Sequence, residues 1–137
     1  MLEWVRIENQ EMMERFLNTV EGLHDSILRE AVLQNAGYVD VDGWMHGDLC
    51  LPSIRLLFQS QSPRVIGVEI LLEAVSELAL KFPREFDEVE GEVLEQSTIL
   101  HPLGRSKGAK IVCKMASYRM LGIGSRGMKC VEGPTAE

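Results

Sequence analysis

The sequence predicts an α+β fold in which an N-terminal helix packs on a mainly antiparallel sheet of six or seven strands. Helical spacing of apolar residues is clear only in residues 9–21. Short segments rich in branched apolar residues then follow one another along the chain. Several of them carry charged residues at alternate positions, which indicates a sheet with one solvated face and one face for the helix to cover.

The helix over residues 9–21 has the most regular pattern in the chain. Asn9 is placed to cap its N-terminus, and Gly22 follows its C-terminus. Glu11, Glu14 and Arg15 occupy the opposite face to the apolar residues. The apolar face comprises Met12, Met13, Phe16, Leu17 and Val20.

Strands are predicted next at 27–34, 38–41 and 49–58. Asn35-Ala36-Gly37 separates the first two, and Asp42-Gly43 is a turn signal because glycine adopts positive φ without steric cost. Residues 65–82 fit either a helix or strands, and periodicity alone does not decide between them. A resemblance described below favours two short strands with a kink near Ala74.

Two further strands, near 92–100 and over 109–121, are predicted to pair as an antiparallel hairpin. The loop 101–108 between them holds Pro102 and two glycines, which suit a reversal of the chain. Opposite charges would then face each other across the strand pair. The basic residues of the C-terminal segment would thus form ion pairs within the domain instead of being free to bind nucleic acid. The expected partners are Glu92 and Glu95 with Lys114 and Arg119.

Length and composition fit one domain with a real core. The chain has 137 residues, of which 45% are hydrophobic and 26% charged. We expect a single domain over 1–121 and a flexible tail over 122–137, which is rich in glycine and polar residues. A GxGxxG match at Gly122–Gly127 is followed by no crossover helix, no second strand and no acidic residue about 20 positions further on, so it does not predict a dinucleotide site.

Charge is distributed unevenly. Residues 1–100 hold 7 Lys or Arg and 19 Asp or Glu, a net charge of −12, whereas residues 101–137 hold 7 and 2, a net charge of +5. The basic residues are dispersed, with Tyr118 as the one aromatic among them, so we expect no nucleic-acid partner. The acidic first hundred residues favour a protein partner with a basic surface.

The cysteines and the hydropathy predict a cytoplasmic protein that does not enter a membrane. Cys50, Cys113 and Cys130 are odd in number and lack a CxxC spacing, which favours reduced thiols. No uncharged apolar stretch approaches 18 residues, the length that a membrane-spanning helix needs. The N-terminus also lacks the apolar region that a signal peptide contains.

One group of residues could carry chemistry. His24-Asp25 and His46-Gly47-Asp48 offer imidazoles and carboxylates, a set that zinc or iron accepts. A small metal-dependent hydrolase using His24, Asp25, His46 and Asp48 is therefore the alternative function. In the preferred interpretation Asp25 ends the helix and His46 lies on an exposed turn, and we expect no catalytic residue, metal or cofactor. The candidate binding residues are His24, Asp25, Trp44, His46 and Asp48.

Two segments together resemble a group of small bacterial α+β domains. Leu23-His24-Asp25-Ser26 follows the helix directly, and Val68–Val75 is followed by Leu78-Ala79-Leu80. Some members of this group are proposed immunity proteins of toxin systems. The resemblance implies strands at 65–82 and gives His24 and Asp25 motif positions without a catalytic role. The leading hypothesis is thus a non-enzymatic binding or regulatory domain, and a homodimer is compatible with it.

Overall fold

A computed structural model describes residues 3–47, 51–61, 67–83, 86 and 88–121. Within these ranges the chain forms one α-helix, α1 (Gln10–Thr19), and eleven strands. The strands are β1 (Val5–Ile7), β2 (Ser26–Gln34), β3 (Tyr38–Val39), β4 (Met45–His46), β5 (Ser53–Ser60), β6 (Gly67–Glu73), β7 (Glu77–Ala79), β8 (Glu90–Val93), β9 (Thr98–His101), β10 (Lys110–Cys113) and β11 (Met115–Leu121). No helix in the described ranges is long and apolar enough to cross a membrane.

The described strands form three sheets. A five-stranded sheet has the order β1-β11-β6-β5-β2, a four-stranded sheet has the order β7-β10-β9-β8, and β3 pairs with β4 alone. Within each of these sheets, neighbouring strands pair antiparallel. The predicted α+β fold, with a helix on one sheet of six or seven strands, is therefore wrong, and the chain is a small sheet-rich fold with one helix.

One bend in a strand pair accounts for the division into sheets. The chain kinks at Ala74, whose φ is +57°, so β6 pairs with β11 while its continuation β7 pairs with β10. Lys114 separates β10 from β11 at the same level, and its backbone N–H bonds the carbonyl of Glu73. The β6–β7 segment and the β10–β11 segment therefore pass between the two sheets at the same level. The kink near Ala74 and the two short strands at 65–82 are confirmed.

The helix begins where the sequence predicts. The side chain of Asn9 accepts a hydrogen bond from the backbone N–H of Met12 at 2.8 Å, which satisfies one of the free N–H groups of the first turn. Met13 and Phe16 are buried, and Leu17 is half-buried. The ring of Phe16 lies 4.4 Å from the ring of Tyr118 on β11. The helix therefore covers the inner face of the five-stranded sheet.

A single apolar cluster joins the helix to both large sheets. It includes Phe58 of β5 and Leu100 of β9, and the ring of Phe58 meets that of Phe86 edge-to-face at 5.3 Å. The predicted tail, 122–137, lies outside the described residues.

The predicted C-terminal hairpin is correct in one half only. Ile111 of β10 pairs with Leu100 of β9, as expected for strands on either side of a loop. However, the segment near 92–100 is two strands, β8 and β9, because Leu94 and Ser97 close a turn by a backbone hydrogen bond of 2.7 Å. The prediction for Glu92 and Arg119 is wrong, since Glu92 bonds Arg105 and Arg119 bonds Glu69. Glu95 and Lys114 line the same cleft without forming an ion pair.

Candidate functional site

The structure places the predicted site residues on two separate parts of the chain. His24 and Asp25 lie between α1 and β2, with Nδ1 of His24 2.9 Å from Oδ2 of Asp25. His46 ends β4 and pairs with Asp40, Nε2 to Oδ2 at 2.9 Å, so each histidine has a different aspartate. Trp44 precedes β4, and Asp48 lies outside the described residues.

The segment that carries His24 and Asp25 is a left-handed turn. Glu21, Gly22, Leu23 and Asp25 all have φ between +56° and +66°. A non-glycine residue in this region costs about 1–2 kcal/mol, so the turn must be held by its surroundings. Backbone hydrogen bonds supply this support, from Asp25 N–H to Phe86 at 2.8 Å and from Val89 N–H to Gly22 at 3.0 Å.

The described residues contain no group of three or more His, Cys, Asp and Glu side chains able to hold a metal ion. His24, Asp25 and His46, the three described residues of the hydrolase alternative, are therefore not brought together at one site. Cys113 is buried, and this burial raises the pKa of its thiol to about 11. A thiol with so high a pKa is a poor nucleophile at neutral pH.

The second part of the candidate site is a projecting hairpin, residues 35–47, which we call the arm. The chain enters it from β2 at Gln34 and returns to β5 at Ser53, and these two residues face each other across the β2–β5 pair. Tyr38 pairs with His46 and Val39 with Met45. No residue of the arm is buried, so the arm extends from the end of the β2–β5 pair away from the core.

Asp40 organises the turn of the arm. Its Oδ1 accepts the backbone N–H of Asp42 at 2.9 Å and of Trp44 at 3.0 Å, while its Oδ2 lies beside His46. The ring of Tyr38 stacks on that of His46 at 4.7 Å. Gly43 has φ +88°, so the predicted glycine turn is confirmed. The turn is longer than a two-residue loop, and strand β3 ends at Val39 instead of continuing to residue 41.

The conformation of the arm is expected to depend on pH in the acidic range. The hydrogen bond with His46, and next that from Trp44, hold the pKa of Asp40 below its ordinary value of 3.8. A carboxyl with a depressed pKa stabilises the folded form above its unfolded pKa, and this contribution is lost as pH falls through the depressed value. Trp44 fluorescence, recorded in a Trp4→Phe background, should therefore change below pH 3.8.

Two variants test this assignment. Asp40→Asn should remove the acid-induced component of the fluorescence change, because the titrating group is gone. Asp42→Asn should retain it, since Asp42 contributes only its backbone N–H to the turn. An identical titration in wild type and Asp40→Asn would contradict the role of Asp40.

Exposed apolar side chains are concentrated in the arm and in β2. Eight of the fourteen large hydrophobic residues exposed in the described ranges lie between 27 and 45. Trp44 is 71% exposed and Met45 81%. The others are Ile27, Val32, Leu33, Tyr38, Val39 and Val41. Scattered apolar residues are normal on a surface, but a concentration of them marks an interaction site.

The free side of β2 adjoins this surface. β2 is the last strand of the five-stranded sheet and has β5 as its strand partner. An isolated bridge from Ser26 to Phe86 occupies only its start. All residues from Arg29 to Gln34 are exposed, and we call residues 29–34 the β2 edge. Among the described strands, none covers this edge.

The surface is acidic. Residues 24–47 contain four carboxylates and one arginine, a net charge of −3 without the histidines. The carboxylates belong to Asp25, Glu30, Asp40 and Asp42. This charge suits a basic ligand and opposes a phosphate backbone.

A second surface, which the sequence did not indicate, is a charged network on the outer face of the five-stranded sheet. Glu69 of β6 has a side chain only 8% exposed. It bonds Arg55 of β5 at 2.9 Å and Arg119 of β11, and the guanidinium of Arg119 lies 4.3 Å from the ring centre of Trp4. The network joins three adjacent strands, and its polar groups already satisfy one another, which favours a structural role.

A shallow cleft of about 400 Å³ lies where β1 ends and the turn between β8 and β9 begins. Arg6, Glu8, Glu95 and Lys114 line it, and none of them forms an ion pair with another described residue. Because charges of both signs line it in equal number, its field selects neither anions nor cations.

Comparison of the chain with protein-family models, with curated proteins and with solved structures gave no match. The physical properties of the arm and the β2 edge are therefore the basis for a functional conclusion.

Proposed function

We propose that the chain is a non-enzymatic binding domain whose arm docks on a protein partner with a basic surface. The observation that carries this proposal is the exposure of Trp44, Met45 and Tyr38 on a hairpin that extends away from the core. Two-stranded hairpins are marginally stable alone in water, and exposed apolar side chains on them gain most from contact with a second protein.

The residue types support a protein as the ligand. Tryptophan, tyrosine and methionine are enriched at protein interfaces, and tryptophan and tyrosine are frequent among residues that dominate binding energy. The three lie within eight positions of the sequence, on one small hairpin. A hairpin that carries both exposed aromatic residues and the carboxylates of Asp40 and Asp42 matches a partner that presents an apolar pocket within a basic surface.

An immunity protein, which masks a toxin by binding it, would be one form of this function. The resemblance through His24 and Asp25 supports that form. The acidic charge of residues 24–47 supports it as well, because electrostatic attraction raises the rate at which a basic partner is captured.

Trp44→Ser is expected to weaken partner binding at least about tenfold, which corresponds to about 1.4 kcal/mol. The stability of the domain should change by less than about 0.5 kcal/mol, because Trp44 is exposed and packs on no core residue. The partner is first identified by cross-linking from a photoreactive residue at position 41, which is exposed on the arm and leaves Trp44 in place, followed by mass spectrometry. Its dissociation constant is then measured for both forms of the chain.

Phe82→Ser provides a matched control. Phe82 is 72% exposed, as much as Trp44, but follows β7 in the other large sheet. Its substitution should leave the dissociation constant within about twofold. Equal losses in the two variants would indicate non-specific hydrophobic association. A Trp44→Ser chain that binds the cross-linked partner normally would refute the role of the arm.

A further inference from the structure

We infer that the partner contributes an extended, basic segment that adds as a further strand to the β2 edge. The inference rests on the proposed function, since it assigns the mode by which the same partner is held. Strand addition supplies affinity through main-chain hydrogen bonds and specificity through alternate side chains.

The β2 edge has the properties that strand addition needs. β2 is nine residues long, and its one irregularity, a bulge between Leu28 and Glu30, comes before the regular segment from Glu30 to Gln34. Proteins protect exposed edges by shortening them, covering them, bulging them or placing proline or charged side chains there. The bulge and the charge of Glu30 lie at the start of the β2 edge. Within the part of the chain that the structure describes, residues 31–34, which include exposed Val32 and Leu33, have none of these protections.

The alternation along β2 defines the sequence of the added strand. Ala31 and Leu33 lie on the core side of the sheet, since they pair with buried Leu56 and Ile54. A partner strand therefore needs apolar side chains beside them. Glu30 lies on the opposite side, so the side chain facing it should be lysine or arginine.

Glu30 is available for a basic partner residue. Arg55 approaches it at 3.9 Å, but Arg55 makes its closer contact, 2.9 Å, with Glu69. Half of the Glu30 side chain remains exposed. An incoming lysine would therefore face a half-exposed carboxylate whose ion pair with Arg55 is long, since Arg55 is held more closely by Glu69.

A second copy of the chain matches the edge less well than a basic strand does. The surface formed by residues 24–47 carries a net charge of −3 without the histidines, so a second copy would bring like charge against it. Like charges across a strand pair are destabilising, whereas a lysine or arginine opposite Glu30 is favourable.

The inference can be tested with a synthetic peptide of about eight residues in which valine and threonine alternate and two threonines are replaced by lysine. Hydrogen exchange measured by mass spectrometry or NMR should show slower exchange of amides in residues 29–34 when the peptide is added. Methylation of alternate backbone nitrogens in the peptide should weaken binding about tenfold, because it removes the main-chain donors.

A charge exchange checks the position of the added strand. Glu30→Lys should reverse the preference, so that a peptide with glutamate in place of lysine binds more tightly than the lysine peptide. Glu11→Lys on the exposed face of α1 changes the net charge equally and should keep the lysine preference. A preference that reverses in both variants would show a long-range charge effect and would overturn the assignment to the β2 edge.

Other outcomes also overturn the inference. Unchanged exchange in residues 29–34 at about 1 mM peptide would do so, as would protection of those amides by self-association of the chain without peptide. Protection confined to the arm would refute strand addition while leaving the proposed function intact. Failure of the proposed function itself is detected separately, by the Trp44→Ser measurement.

Discussion

Phe16→Ala is expected to lower the free energy of unfolding by about 3–5 kcal/mol. Phe16 is 1% exposed, and its ring packs against Tyr118 at 4.4 Å in the contact that joins α1 to the five-stranded sheet. Removing the ring loses apolar burial and leaves a cavity that the β-strands cannot fill without bending. A domain of this size has a total stability of about 5–15 kcal/mol, so the loss is a large share.

Urea unfolding followed by circular dichroism measures the effect. Phe82→Ala makes the same chemical change at a position that is 72% exposed and should shift the free energy by less than about 0.5 kcal/mol. A Phe16→Ala chain that loses less than about 1 kcal/mol would show that the helix packs only peripherally.

Local features could be predicted from the sequence because their causes are local. The cap at Asn9 needs only a side chain and a backbone N–H three residues away. The turn at Gly43 likewise follows from the freedom of glycine. Gly22 was expected directly after the helix, but α1 ends at Thr19, and Gly22 has positive φ in the turn that follows. The kink near Ala74 was predicted from the resemblance and not from a local signal, since a non-glycine residue has positive φ there.

The division into sheets could not be predicted in the same way. It depends on β6–β7 and β10–β11 bending at one level, and the residues that meet there, Glu73 and Lys114, are far apart in the sequence. The alternation of apolar and polar residues along 109–121 is the same whether the strand stays in one sheet or passes from one sheet to another. Pairing partners, and not periodicity, decide the architecture.

The candidate residues named from the sequence fall into two groups. Trp44 and His46 lie on the exposed hairpin, whereas His24 and Asp25 form a separate pair at the left-handed turn. Asp40 was missed as the partner of His46. The signal for it was the turn at Asp42-Gly43, which brings residues on its two sides together. Glu69 gave no signal, since Arg55 and Arg119 come from two other strands, 14 and 50 residues away, and their meeting depends on the pairing of those strands.

Glu69→Gln is expected to lower the free energy of unfolding by about 2 kcal/mol. The substitution keeps the shape of the side chain but removes the charge that Arg55 and Arg119 share. Loss of one partner from a fully buried ion pair costs about 3–5 kcal/mol, and the arginines here are 35% and 31% exposed, so water compensates part of the loss. Urea unfolding measures the difference.

Glu77→Gln is the matched control, because Glu77 and Lys110 form an exposed pair at 3.6 Å between two strands. Its expected effect is about 0–0.5 kcal/mol. If the Glu69→Gln chain were as stable as the wild type, the network around Glu69 would contribute no more to the free energy of unfolding than an exposed ion pair does.

A triple replacement separates the cost of an unpaired charge from the value of the network itself. Glu69→Leu combined with Arg55→Met and Arg119→Met removes all three charges and should return the stability to within about 1 kcal/mol of wild type. If the triple variant is as unstable as Glu69→Gln, the network itself stabilises the junction of β5, β6 and β11, and apolar packing cannot replace it. Recovery would instead show that Glu69 is needed because the two arginines flank it.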